Sequence, residues 1–305
     1  MLHKPVLLRE TVGSLGLRSG HTVVDGTLGS GGHAREILEI IGKQGRLIAL
    51  DQDPEAIERC QKLFADHPNV TLHQENFRNI ERVLQGLGIS EIDAALLDLG
   101  FSSDQLEDPA RGFSFGRPGP LDMRMNIHGP VTAADLIADL PENELARLFR
   151  DLGEERWAGR IARKICETRN ARRVETTEDL AALVNSAIPG GSYKSEKPGW
   201  AKRHPATRVF QALRIAVNEE LESVTHALPK FFQSLRQHGR LSVISFHSLE
   251  DRIVKHQFRE WKQARLAKVL TKKPVIASDE EIESNSRARS AKLRTVEKIP
   301  HEIHA

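Results

Sequence analysis

Three acids stand where apolar runs end. Asp25 follows Thr22-Val23-Val24, Asp51 follows Arg46 to Leu50, and Asp98 follows Ile92 to Leu97. If those runs are parallel strands, all three carboxylates reach the carboxyl rim of the sheet, the usual ligand crevice of an open α/β fold. After the first acid comes Asp25-Gly26-Thr27-Leu28-Gly29-Ser30-Gly31-Gly32-His33, a glycine loop where a strand feeds a helix. Glycines there permit positive φ and let the backbone approach a ligand closely. Asp51 lies 22 residues after Gly29, where an acid can bind ribose hydroxyls. Asp53, followed by Pro54, is the better helix cap.

The pattern asks for a nucleoside-bearing cofactor, and two fit. Gly29-x-Gly31-x-x-Ala34 matches a relaxed dinucleotide fingerprint. Against a nicotinamide cofactor, Asp25 would lie near a pyrophosphate and repel it. The same carboxylate would stabilise the cationic amino acid end of S-adenosylmethionine. Asp98-Leu99-Gly100 offers a base-handling site with no role in hydride transfer. S-adenosylmethionine is therefore favoured. In Glu75-Asn76-Phe77, the Phe77 ring either lies against the adenine or packs in the core; both readings stand.

The elements that would hold these residues alternate. Ala34, Ile37, Leu38 and Ile41 share one helical face. Ala56, Ile57, Cys60, Leu63 and Phe64 point inward from the next helix, and Val70 to His73 forms a third strand. Ile92 to Leu97 is almost wholly apolar, as a strand covered on both faces should be. From Glu107 to about His204 the pattern turns helical, with helices opening at Thr132 and covering Glu142 to Asp151 and Arg156 to Thr168. Thr176 and Asp179 resemble a capping box. Strand and helix patterns then resume: a helix over Phe210 to Leu221, a strand over Arg240 to Phe246, a helix over Ser248 to Trp261 and a strand over Lys292 to Val296. Thr271 to Ser290 reads as a charged loop. The expectation is an α/β protein with a doubly wound, Rossmann-like sheet and an inserted helical domain. Residues 1–106 and 205–305 form the sheet domain, and 107–204 the insertion.

Composition narrows the partners. Hydrophobic residues at 39% and charged residues at 28% are ordinary for a globular chain of 305 residues. The net charge is only +2, but Arg156 to Arg208 holds 12 Lys/Arg against 5 Asp/Glu, a local +7 that leaves −5 elsewhere. A basic segment beside an acidic body suggests a polyanion footprint; a solvated helix face is the alternative. Cys60 and Cys166 are expected as buried apolar residues rather than a disulfide. No signal-like N-terminus or membrane-length run is present, so a cytoplasmic location without membrane contact is expected. The 13 histidines are scattered, and no metal site is expected.

Longer strings now come into view. They run from His3-Lys4-Pro5-Val6-Leu7-Leu8 through the glycine loop and Leu97-Asp98-Leu99-Gly100 to Gln105. Arg111-Gly112-Phe113-Ser114-Phe115, Gly119-Pro120-Leu121-Asp122-Met123-Arg124-Met125 and Gly153-Glu154-Glu155-Arg156 follow. His204-Pro205-Ala206-Thr207-Arg208, Phe210-Gln211-Ala212-Leu213-Arg214-Ile215 and Ser245-Phe246-His247-Ser248-Leu249-Glu250-Asp251-Arg252 complete the series. In this order they resemble the bacterial ribosomal RNA small subunit methyltransferase H family, also called MraW. The resemblance implies S-adenosylmethionine-dependent N4-methylation of a cytidine in the decoding region of 16S ribosomal RNA, within the small subunit. It also implies cofactor contacts at Gly31, Gly32, His33, Asp51, Phe77, Asp98 and Gln105, and makes the insertion the candidate RNA-recognition domain. One position departs from the family pattern: Phe101 stands where a small aliphatic residue is expected. Asp98-Leu99-Gly100-Phe101 then has the spacing of the Asp-Pro-Pro-Phe motif of exocyclic-amine methyltransferases, with Leu99 and Gly100 replacing the prolines.

The catalytic candidates are thus Asp98 as the polar group that receives a proton from the amine, Phe101 as a stacking surface for the base, and His247 as an active-site wall. Ser248 with Asp251 could instead cap the helix there. Arg156, Arg160, Arg163, Lys194, Lys202, Arg203 and Arg208 are candidates for holding RNA phosphates. Asp122 and Arg124 are either a structural pair or a reach toward substrate.

Overall fold

A computed structural model describes residues 4–189 and 204–300. The chain separates into two compact units, one holding the residues up to Phe101 and from Leu221 onward, the other Ser102–Glu220.

The first unit is built on seven strands: β1 (Thr22–Asp25), β2 (Arg46–Asp51), β3 (Val70–Gln74), β4 (Ile92–Asp98), β5 (Leu235–Ser245), β6 (Ala267–Val269) and β7 (Lys292–Lys298). Their order is β3-β2-β1-β4-β5-β7-β6. The first five are parallel, and β7 runs antiparallel to both β5 and β6. Winding proceeds outward from β1 to β3, then restarts on the other side of β1 with β4. The seam between β1 and β4 is therefore the topological switch point, where the ends of neighbouring crossovers leave a crevice.

Alternation along the strands explains why helices cover both faces. Val24, Ile48, Leu50, Ala95 and Leu97 join one core with Ile80, Val83, Phe231 and Phe258. Val23, Leu47, Ala49, Ala94 and Leu96 point the other way, into a core with Ala34, Ile37, Leu38, Ile41, Ile57 and Phe64. Each fully buried side chain of this size stabilises the fold by about 1.5–3 kcal/mol, which fixes strand register against slippage.

Several sequence expectations need correction. A helix spans Glu220–Ser234 despite Pro229 in its interior; Val224, Ala227, Leu228 and Phe231 bury one face, and that packing outweighs the proline. The charged stretch 271–290 contains a helix at Asp279–Ser284, capped by Ser278, and a short 3₁₀ turn at Ser286–Ser290. Burial of Ala277, Ala288 and Leu293 with Val6 and Leu7 holds it in place. Leu63 is exposed, although its neighbours Ala56, Ile57 and Cys60 point inward. Cys60 is buried as expected, whereas Cys166 is only half-buried.

The second unit is helical. Its helices cover Ala133–Asp139, Glu142–Asp151, Ala158–Arg169, Thr177–Ala187 and Ala206–Val217, and bury Leu145, Phe149, Ile161, Ile165, Leu180, Val184, Val209 and Leu213. The helix Ala206–Val217 packs on three of the others. The unit therefore ends at Glu220 rather than at residue 204, because the apolar face of that helix belongs with these helices. Asp122 and Arg124 form a paired contact (Nε to Oδ1 2.9 Å, Nη2 to Oδ2 2.7 Å), and Arg124 also donates to the Gly129 carbonyl. Among the described residues, no helix is long and apolar enough to cross a membrane.

Candidate active site

The three strand-end acids do meet the glycine loop. Asp25 accepts the Thr27 N–H at 3.0 Å. The Thr27 hydroxyl in turn accepts the Asp98 N–H at 2.6 Å, stitching the ends of β1 and β4 together. Asp51 accepts two backbone donors, Gly29 N–H at 2.8 Å and Asp53 N–H at 2.9 Å. Asp53 is the predicted N-cap, accepting from Glu55 N–H, with Pro54 at the first helical position. Gly31 turns the loop at φ +77°, and a Cβ there would lie 2.9 Å from Leu63 Cδ2. Gly32 is crowded for another reason: a Cβ would fall 2.2 Å from Pro5 Cγ. The N-terminal segment is thus packed directly on the loop.

His33 lies in the first turn of the following helix, Gly32–Ile41, and is buried. Its Nε2 lies 3.1 Å from the Val6 carbonyl and its Nδ1 lies 3.5 Å from Asp98 Oδ2. Asp98 Oδ1 is buried with no hydrogen-bond partner. Phe77 is half-buried on the core, in a 3₁₀ turn started by Asn76, whose side chain accepts from Arg78 N–H. A Cβ on Gly26 would meet Phe77 Cβ at 3.3 Å, so the ring's base stands beside the loop.

Burial governs the electrostatics. It raises Asp98 to about 7, opposed by the Arg287 guanidinium and reinforced by Glu250. It raises Asp25 to about 6, with His33 and the Thr27 hydrogen bond opposing and Asp98 and Asp51 reinforcing. Asp51 also rises to about 6 through burial, opposed by its two backbone donors. Burial lowers His33, against the pull of Asp25. Removing three carboxylates from water is unfavourable unless a cation or hydrogen-bond donors join them. Such a site is under-satisfied in a way that suits a cationic, hydroxyl-rich ligand.

Other predicted site residues have different surroundings. Phe101 is engaged by Arg287, which donates to its carbonyl and sits 5.7 Å over its ring. His247 is the N-cap of the helix Ser248–Gln263, in a capping box with Glu250. Its Nε2 lies 3.1 Å from Glu250 Oε1. The cap is thus His247 with Glu250 rather than Ser248 with Asp251, because Asp251 is held by Arg294 at 2.7 Å. Gln105 belongs to the helical unit, buried, where it completes a capping box with Ser102. In the same unit Arg156 and Arg160 flank the Trp157 ring at 5.2 and 5.7 Å. Arg163 is exposed near Glu142, and Arg208 donates to the Glu154 carbonyl. Lys194, Lys202 and Arg203 lie outside the described residues. Sequence reasoning missed Thr27, Pro5, Val6 and Arg287. Thr27 stood inside the glycine loop, and Pro5 and Val6 inside a string that carried the resemblance, but neither string assigned them a role; Arg287 lies in a charged stretch with no local signature.

The MraW methylase family matches residues 1–299. The chain belongs to that family. Its members use S-adenosylmethionine as methyl donor, in keeping with the carboxylates gathered at the strand ends beside the glycine loop. A relative from Heliobacterium modesticaldum, named ribosomal RNA small subunit methyltransferase H, is 46% identical, covering 97% of this chain and 98% of the relative. One of the same name from Geotalea uraniireducens is also 46% identical with the same coverage. A solved rRNA methylase from Streptococcus thermophilus is 11% identical over 98% of this chain and 99% of that one, at a TM-score of 0.45, a loose likeness.

Proposed function

We propose that this methylase transfers a methyl group from S-adenosylmethionine to N4 of a cytidine in the decoding region of 16S ribosomal RNA, in the cytoplasm and within the small subunit. The observation that carries the reading is Asp98: a carboxylate at the β1–β4 switch point with one buried oxygen left unpartnered. The names borne by the relatives support small-subunit RNA as the substrate.

When bound, the cofactor supplies an electrophilic methyl group on a positively charged sulfur. Asp25 is suited to the cofactor's ammonium end and Asp51 to its ribose hydroxyls, while the loop from Gly29 to Gly32 admits it closely. Phe77 borders the adenine, and the cofactor contact assigned to His33 completes the set within this unit. Cytosine's amine is a poor nucleophile because its lone pair is delocalised into the ring. Holding that nitrogen in line with the methyl group can supply roughly 7–11 kcal/mol in favourable cases. Asp98 favours the attacking geometry and receives the displaced proton. The target base leaves its stack at a cost of a few kcal/mol, offset by phosphate contacts from the helical unit. Arg156, Arg160, Arg163 and Arg208 are the described candidates.

The test offers tritiated cofactor with naked 16S RNA, small subunits and DNA, followed by mapping of the labelled base. Label on a cytidine N4 in the decoding region is expected. Label on another base, or on DNA alone, overturns the assignment.

A further inference from the structure

His33 has more to do than border a cofactor. The Val6 carbonyl can only accept, so the ring must carry its proton on Nε2, 3.1 Å away. The neutral ring then turns a lone pair at Nδ1 toward Asp98 Oδ2, at 3.5 Å. Two acceptors facing each other inside a buried pocket repel unless one proton lies between them. On the far side of the same carboxylate, Oδ1 is buried and unpartnered. Asp98 therefore has one oxygen buried without a partner and the other turned to a histidine whose tautomer is fixed from outside.

We propose that His33 is a proton-holding positioning residue, whose Nδ1 takes up a proton passed on through Asp98 during methyl transfer. The inference rests on the methyl-transfer reading above. The amine nitrogen forms the N–C bond while the S–C bond breaks, its electron pair remaining on sulfur. The nitrogen releases its surplus proton to the Asp98 carboxyl, and the proton that the carboxyl held toward His33 moves to His33 Nδ1. Asp98 ends neutral, and the positive charge lost from sulfur reappears on the imidazolium. Asp25 at the end of β1 and Glu281 of the helix Asp279–Ser284 also act on His33, both favouring the charged ring. Arg287 and Glu250 act on Asp98 with opposite signs. The proton returns to water through Asp98, whose side chain is 21% exposed.

Two measurements on the full chain decide this. In histidine-¹⁵N spectra of the free protein near pH 7, His33 is expected as the Nε2–H tautomer with Nδ1 accepting; an Nδ1–H tautomer overturns the proposal. The variant His33→Gln keeps an N–H for Val6 and removes the basic nitrogen. At saturating cofactor it should lose about 10²-fold in single-turnover transfer at neutral pH and recover as pH rises. Wild-type rates with a wild-type pH profile would refute the relay. Should His33→Gln fail to fold, the tautomer measurement decides alone. Failure of the wild type to bind S-adenosylhomocysteine or to methylate RNA would instead strike the functional reading, since the tautomer is read on the free chain.

Discussion

Asp51 accepts the backbone N–H of Gly29 at 2.8 Å, so the acid at the end of β2 holds the loop that leaves β1. A residue that the spacing suggested for ribose binding is also the loop's anchor. Both of its oxygens take a backbone donor, Oδ2 from Gly29 and Oδ1 from Asp53.

Asp51→Asn should therefore harm binding through the protein as well as through the ligand. An amide keeps one acceptor but turns a donor toward the second backbone N–H. Leaving such a group unsatisfied costs about 1–3 kcal/mol. Calorimetry with S-adenosylhomocysteine should show at least a tenfold loss; undiminished affinity would remove Asp51 from the site.

Gly31→Ala tests the loop's shape. The φ of +77° costs a residue with a side chain about 1–2 kcal/mol, and the new methyl would press on Leu63, Cys60 and Phe64. Denaturant unfolding should show a loss of that order. Adding Leu63→Ala relieves only the contact, so the double variant should remain less stable than Leu63→Ala alone.

Asp98→Asn should abolish methylation and yet stabilise the free protein at alkaline pH. The sign follows from linkage: a carboxyl raised from 3.8 to about 7 binds its proton more tightly when folded. Its stabilising contribution is fully present below pH 3.8 and is lost as pH rises through about 7. Asp25 and Asp51 act in the same direction, with loss through about 6. Melting of the ligand-free wild type should thus be lower at pH 8 than at pH 6 as far as these groups decide it. Asp98→Asn should gain at pH 8 and little at pH 5, a stability–function trade-off of the usual kind. Equal gains at both pH values would contradict the assignment.

Arg287 is the cation that opposes the rise of Asp98. Arg287→Gln should move the limb of the pH–rate profile that Asp98 sets upward and loosen Phe101, whose carbonyl and ring it contacts. A limb that stays put or moves downward would show that Asp98 does not set the profile.

Arg156→Gln with Arg160→Gln tests the helical unit as an RNA reader. Removing two phosphate contacts to single-stranded RNA should flatten the log–log salt dependence of binding by about 1.4, at roughly 0.7 per charge. An unchanged slope would leave Arg156 and Arg160 as packing around Trp157.

By itself the amino-acid sequence determined the alternation of strands and helices, the strand-end positions of Asp25, Asp51 and Asp98, and the glycine loop, because these are local matters. An apolar run, a following acid and a capped helix start are all written in a few adjacent residues. The Asp53 cap with Pro54 behind it was legible for that reason. What the carboxylates do there was decided by tertiary structure. The partnerless oxygen of Asp98, the ring of His33 set between Val6 and Asp98, and Arg287 over Phe101 join segments far apart in the chain. The helix Glu220–Ser234 was missed because Pro229 argues locally for a break, whereas burial of Phe231 and its neighbours argues for continuity. The capping of the helix Ser248–Gln263 by His247 with Glu250 was likewise not legible locally, because Ser248 and Asp251 offered the more ordinary cap. Local propensity names the parts; desolvation, which depends on everything packed around a group, sets their charge and partners.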